Sequence, residues 1–218
     1  VTAKTASGIT SEPLVLTIAE NSKTILEADE NWTNVYRQEV TEVFGPYEVL
    51  EDAEGKYYHP TNADGGNDAT FPGVTFTSTK WSMEYDLYIP ESVKDYGGEY
   101  YVYPQLLGFD SKNSGDWVEF AVAVGSEKVR TYIKTHVSGL TFGDDNYGLG
   151  NDLSYATGAA KFGWNHIAYF VDGNKISAYV NDVMTMFFTL DFATVPSGAC
   201  MSMFPGSGGS IPLGFKNF

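Results

Sequence analysis

From Trp81 to Ile89 every second residue is large and apolar. Trp81, Met83, Tyr85, Leu87 and Ile89 fall on one side of an extended chain; Ser82, Glu84, Asp86 and Tyr88 fall on the other. A period of two describes a half-buried β-strand and not a helix. The pattern returns at 116–124, where Val118, Phe120, Val122 and Val124 share one side and Trp117, Glu119, Ala121 and Ala123 the other. It returns again at 129–136, with Val129, Thr131 and Ile133 opposite Arg130, Tyr132, Lys134 and His136. Gly125, Ser126 and Lys128 turn the chain between those two runs. Residues 100–109, 184–190, 199–204 and 213–218 are further strand candidates. No long segment carries a convincing helical period. Many strands at short spacing predict an all-β chain folded as a two-sheet antiparallel sandwich.

The length supports that reading. The chain has 218 residues, and sandwiches often run to about 200–250 residues as one unit. Residues 21–218 are therefore read as a single domain. Residues 1–20 are an outer strand or a linker, with Pro13 to Ile18 as the strand candidate. Ser7 to Pro13 is similar to the last hairpin of an immunoglobulin-like or fibronectin-like domain, which twenty residues cannot complete. The protein is thus expected to be a module of a larger one. Val35 to Val49 could hold an edge strand, and Glu51 to Gly55 reads as an acidic turn.

Charge narrows the partners. With 28 acidic and 13 basic residues the formal net charge is −15, so a nucleic-acid backbone or an anionic membrane surface would be repelled. No apolar run is long enough to span a bilayer, so no membrane insertion is expected. The lone cysteine, Cys200, sits in the apolar run Ala199 to Phe204 and is expected to be a buried, inert thiol.

The segment Gly163 to Asp182 reads as a hairpin. Asp172-Gly173 supplies a turn with positive φ, and the flanks are rich in β-branched and aromatic residues. Its Trp164-x-His166 strand, Asp-Gly turn and returning Tyr179-Val180-Asn181 strand resemble a signature of concanavalin A-like and laminin-G-like sandwiches. The resemblance is specific over this hairpin, diffuse from Phe71 to Phe218, and absent before that. It implies a jelly-roll, concanavalin A-like fold of the lectin and glucanase kind, whose members mostly bind glycans.

Some glucanases of this fold carry a Glu-x-Asp-x-Glu strand whose carboxylates act on the glycosidic bond. Glu84 and Asp86 match its first two positions, but Tyr88 or Ile89 stands where the second catalytic carboxylate belongs. A retaining pair about 5–5.5 Å apart is therefore not supplied by this strand, and a solvated acidic face is the plainer reading. His59, His136 and His166 lack the spacing of a zinc site or a catalytic triad; His166 is expected to bond a neighbouring strand.

Two kinds of feature point to binding. Exposed aromatic residues stack on the apolar faces of sugar rings, while carboxylates and Arg bond hydroxyls. Trp117, Glu119, Arg130 and Tyr132 lie outward on two strands by alternation; Tyr88, Glu84 and Asp86 lie outward on a third. Tyr57, Tyr58 and Tyr147 add aromatics from loops. The acidic, Gly-rich loops are the other feature. Asp64, Asn67 and Asp68, and likewise Asp144 and Asp145, offer oxygens of the kind Ca²⁺ takes, although Asp, Asn and Gly favour turns on their own account. A structural Ca²⁺ is the only cofactor the sequence admits. The expected function is a non-catalytic carbohydrate-binding domain of a secreted or cell-surface bacterial protein, taking a neutral polysaccharide such as starch. A glycoside hydrolase or lyase on the same fold, and a protein-binding adhesin module, are the alternatives.

Overall fold

The computed structural model describes residues 40, 45–61, 69–71, 74, 76, 78–107, 117–136, 150–189, 195–196, 198–205 and 210–218. At 69–70, 105–107, 117 and 134–136 it describes the backbone alone. The strand candidate at 13–18, the boundary at residue 20 and the acidic loops at 62–68 and 143–148 fall outside these residues.

Among the described residues thirteen strands form two antiparallel sheets. The first holds β1 (Tyr47–Asp52), β2 (Gly55–Pro60), β4 (Lys80–Ile89), β9 (Gly163–Asp172), β10 (Lys175–Val180), β11 (Val183–Thr189) and β13 (Gly214–Lys216). Its spatial order is β1-β2-β13-β4-β9-β10-β11. The second holds β3 (Ala69–Thr70), β5 (Glu99–Leu107), β6 (Trp117–Gly125), β7 (Lys128–His136), β8 (Leu153–Ser154) and β12 (Gly198–Pro205), in the order β3-β12-β5-β6-β7-β8. The helical elements among the described residues are short 3-10 turns at Glu91–Asp95 and Tyr155–Thr157. The expected all-β sandwich is what the chain forms.

The alternating sides divide as the sequence predicts. Trp81, Met83, Tyr85, Leu87 and Ile89 of β4 meet Val118, Phe120, Val122 and Val124 of β6 in one core. Phe120 stands edge-on to Trp81 and to Tyr169, with ring centroids 5.5 and 5.3 Å apart. The Tyr169 hydroxyl crosses between the sheets and donates to the Ala121 carbonyl at 2.8 Å. Cys200 is buried and free, as expected.

Polar contacts join the sheets at the β11 end. Gly150 N–H donates to Thr131 O at 2.8 Å, Asn151 N–H donates to Thr185 O at 2.7 Å, and the two threonine hydroxyls lie 2.7 Å apart. A Cβ on Gly150 would stand 2.5 Å from Thr131 Oγ1, so this close approach requires glycine.

Several expectations shift in detail. Tyr57, Tyr58 and His59 lie in strand β2 and not in a loop. Tyr58 is a core residue, 1% exposed and packed on Phe215, and so is no binding residue. β1 (Tyr47–Asp52) overlaps the edge strand expected within 35–49 only at residues 47–49, and most of the rest of that range lies outside the described residues. In the signature hairpin Asp172 pairs with Lys175, so the two-residue loop is Gly173-Asn174. Gly173 has φ 64° and Asn174 is not among the positive-φ residues, which suits a turn with glycine at its first central position. The next hairpin turns on Asn181 and Asp182, with φ 48° and 65°.

Candidate functional site

Burial of β4 and β6 in one core leaves each sheet with an outer face, and the expected site residues are divided between the two. Glu119, Arg130 and Tyr132 lie on the outer side of the six-stranded sheet. Glu84, Asp86, Tyr88 and Tyr57 lie on the outer side of the seven-stranded sheet. Of Trp117, the backbone pairs with Leu107 and His136 at the β6 end. Tyr147 and all five proposed Ca²⁺ ligands, Asp64, Asn67, Asp68, Asp144 and Asp145, lie outside the described residues. Among the described residues no three His, Cys, Asp or Glu side chains are grouped to hold a metal.

On the six-stranded sheet the outer face is built on small residues. Ala121 and Ala123 of β6 form a floor between β5 and β7, and Tyr132, Tyr101 and Tyr103 pack over it. This packing corrects an expectation. Glu119 and Tyr132 do point outward, but at 6% and 4% exposure they are buried by their neighbours and are not an open platform. The open rings are others. Tyr101 and Tyr103, two apart on β5, are half-buried and parallel to within 3°, with centroids 5.7 Å apart. Phe204 of β12 leans on Tyr103 at 5.5 Å. The Tyr132 hydroxyl donates to that of Tyr103 at 3.1 Å. At one end Arg130 Nη2 donates to Glu99 Oε2 at 2.7 Å, and the Tyr101 hydroxyl donates to the same oxygen at 3.1 Å. Burial pushes the Tyr103 hydroxyl up to about 12, and burial with Glu99 alongside raises Tyr101. Both phenols therefore stay protonated at neutral pH.

The outer face of the seven-stranded sheet is organised by charge. His166 of β9 pairs with Asp86 of β4. Its ring stands between two carboxylates, with Nδ1 3.0 Å from Asp86 Oδ1 and Nε2 2.9 Å from Glu84 Oε2. Those hydrogen bonds raise the imidazole to about 9 against a burial that works the other way. The ring is thus cationic at neutral pH, and both nitrogens donate. Burial pushes the Asp86 carboxyl up, but hydrogen bonds from His166 and Asn217 more than offset it and leave it below its ordinary value. Glu84 and Asp86 are accordingly occupied by one shared cation. The expected structural role of His166 holds.

Beside this network three rings meet. Trp164 and Tyr88 are cross-strand partners with centroids 5.3 Å apart, and Tyr57 lies 5.4 Å from Trp164 and 5.8 Å from Tyr88. Gly214 makes room for this, since a Cβ there would stand 2.6 Å from the Tyr57 ring. The indole is fixed on two sides. Its Nε1 donates to Asp52 Oδ2 at 2.9 Å, and Lys216 Nζ sits 3.9 Å from the ring centroid while donating to Glu54 O at 3.1 Å. Sequence reasoning missed Asp52, Lys216 and Asn217. It named Trp164 only in the hairpin and reached Tyr101 and Tyr103 only as part of the strand candidate at 100–109.

Neither a family model nor a curated protein matches the chain. Solved structures do. A protein of unknown function with a galectin-like fold from Bacillus subtilis superposes with a TM-score of 0.53, at 11% identity, over 84% of this chain and 93% of that one. A glycoside hydrolase family 16 protein of the Bacteroides ovatus mixed linkage glucan PUL, in complex with a G4G4G3G product, gives a TM-score of 0.50 at 12% identity, over 83% of this chain and 78% of that one. The fold is a concanavalin A-like jelly-roll sandwich. A carbohydrate-binding module of the CBM66 type from Bacillus subtilis is a looser match, with a TM-score of 0.43 at 13% identity over 81% of this chain and 96% of that one. A fold does not fix a function, so the chemistry must be read from the side chains.

Proposed function

We propose that the protein is a carbohydrate-binding module that holds a neutral polysaccharide without cleaving it, using the outer face of the six-stranded sheet. The observation that carries this reading is the parallel, half-exposed Tyr101 and Tyr103 pair, with Phe204 beside it and the Arg130–Glu99 pair at its end. Aromatic faces take the apolar side of a pyranose, and the fixed carboxylate and guanidinium take its hydroxyls. The rings are braced by Tyr132 and its hydroxyl bond, so little side-chain freedom is lost on binding. A polymer bearing no charge tolerates a surface of net charge −15, and a glucan such as starch is the first ligand to try. The same reading has the module belong to a secreted or surface protein, where a polymer too large to enter a cell is met.

The non-catalytic part of the reading rests on how the carboxylates are used. Glu84 and Asp86 share His166, and Glu99 is held by Arg130 and Tyr101. None of these is arranged as an acid facing a nucleophile across a bond.

Affinity electrophoresis through soluble starch, laminarin and mixed-linkage β-glucan tests the reading. At least one polymer should retard the wild type, and should retard Tyr101→Ala less. Equal mobility in every gel would end the proposal. Release of reducing ends by the purified protein, abolished in Glu119→Gln or Glu84→Gln, would make it a hydrolase instead.

A further inference from the structure

We propose that the outer face of the seven-stranded sheet is a second, independent saccharide-binding surface, formed by Tyr57, Tyr88 and Trp164 and bordered by the Glu84–His166–Asp86 network. The proposal builds on the carbohydrate-binding reading and adds a site to it. It starts from a separation. Packed sheets lie about 10 Å apart, and the rings of the two outer faces stand beyond that on opposite sides. One short oligosaccharide cannot touch both.

Three features make this face a site and not merely a covered sheet. Tyr57 and Tyr88 are half-exposed, while Trp164 beneath them is clamped by Asp52 and Lys216. Rings held in place before the ligand arrives bind at low entropic cost. Gly214 is the second feature. The missing side chain lets Tyr57 lie across β13 and meet Tyr88 from the far side, so strands separated by a third present one aromatic surface. The third feature is the polar border. Asp86 accepts from His166 and Asn217, Glu84 accepts from His166, and all three groups of the bridge keep partial exposure, at 32% for His166, 26% for Glu84 and 24% for Asp86. A carboxylate that already accepts one bond retains lone pairs for a sugar hydroxyl. Aromatic plates next to oriented acceptors match a pyranose, with its apolar C–H side and its rim of hydroxyls.

Two binding faces pointing apart would let one module join two polymer chains. Bound polymer should then be cross-linked, and avidity on dense polysaccharide should exceed affinity for a short oligosaccharide. Isothermal titration with maltoheptaose and with laminarihexaose tests the proposal, alongside turbidity with soluble starch and laminarin. The expected result is about two sites per chain for one of these probes, with cross-linked, turbid mixtures near equivalence. Tyr88→Ala should reduce this to about one site and abolish turbidity, and Tyr101→Ala should do the same at the other face. Tyr57→Ala is the second variant, since it leaves Trp164 and its ties in place. An unchanged melting temperature and circular dichroism spectrum show that each variant is folded. A single site lost in Tyr101→Ala and untouched by both Tyr88→Ala and Tyr57→Ala would overturn the proposal and leave the carbohydrate-binding reading standing. Absence of binding to every probe and polymer would overturn both.

Discussion

The two outer faces of this sandwich are assembled from different materials. On the six-stranded sheet, tyrosines lean over a floor of Ala121 and Ala123, and one ion pair, Arg130 with Glu99, stands at the end. On the seven-stranded sheet, the centre is a chain of ionic hydrogen bonds from Glu84 through His166 and Asp86 to Asn217, with the aromatic cluster alongside. Small residues in a central strand invite rings from both neighbours to close over it, which is why Tyr132 is buried although it points away from the core. Charged residues in adjacent strands instead select one another, which is why His166 faces both Asp86 and Glu84. The second face should therefore respond to pH through His166 and Asp86.

The largest expected effect tests how firmly the aromatic cluster is anchored. Trp164→Ala removes a nearly buried indole together with the partners of Asp52 and Lys216, and should cost about 3–5 kcal/mol. At roughly 2–4 °C per kcal/mol for a chain of this length, that is a fall of about 6–20 °C in a thermal melt. Tyr132→Ala should cost a similar amount on the other face. A fall below about 2 °C for either would mean that its ring is an open platform and not part of the packing.

pH separates the faces next. His166 is raised from 6.5 to about 9 in the folded chain, so its protonated form favours folding. That contribution is complete below about pH 6.5 and is lost as pH rises through about 9. Asp86 acts at the acid end. Its contribution is present above the ordinary value of 3.8 and disappears as pH falls through its lowered native value. For a ring still 32% exposed, the alkaline loss should be on the order of 1–2 kcal/mol. Urea melts between pH 6 and 10 should show it in the wild type and in Tyr101→Ala, but not in His166→Gln. A slope that survives in His166→Gln belongs to another group.

Ligand binding gives a third contrast. Tyr101→Ala should weaken polysaccharide binding about tenfold, equivalent to about 1.4 kcal/mol, with a change in stability below about 1 kcal/mol. Stability loss without binding loss would make Tyr101 a packing residue like Tyr132. The smallest effect is expected for Tyr132→Phe, which deletes one hydroxyl bond to Tyr103 and should cost about 0.5–1.5 kcal/mol. No loss at all would mean that the bond does not brace the ring pair.

These contrasts also show how far the chain could be read in advance. The strands at 81–89, 116–124 and 129–136 were legible because each has one apolar side, and period two is a local property. The Tyr57-Tyr58 pair was not, because two adjacent tyrosines carry no sign of which one faces inward. Tyr58 faces inward because Phe215, 157 positions further along the chain, pairs with it there. The fate of Glu119 and Tyr132 was half legible. Alternation put them outward, and the alanines at 121 and 123 were the available signal that neighbouring rings would close over them.

Alternation thus told which side of its own strand a residue occupies, and that was enough for the core and the sandwich, while the structural role of His166 followed from its place in the signature hairpin. It could not tell which of the two sheets a strand joins. β4 and β6 carry similar patterns, yet β13 inserts beside β4 while β12 pairs with β5 next to β6. Hairpins such as β5 with β6 pair chain neighbours, but the pairings of β4 with β9, β12 with β5 and β13 with β2 join segments between 74 and 157 residues apart, and the backbone hydrogen bonds that make them are the same for any sequence. Only the assembled core, with Phe215, Phe120 and Tyr169 in their places, selects one arrangement. That selection divided a single list of candidate residues between two faces that point in opposite directions.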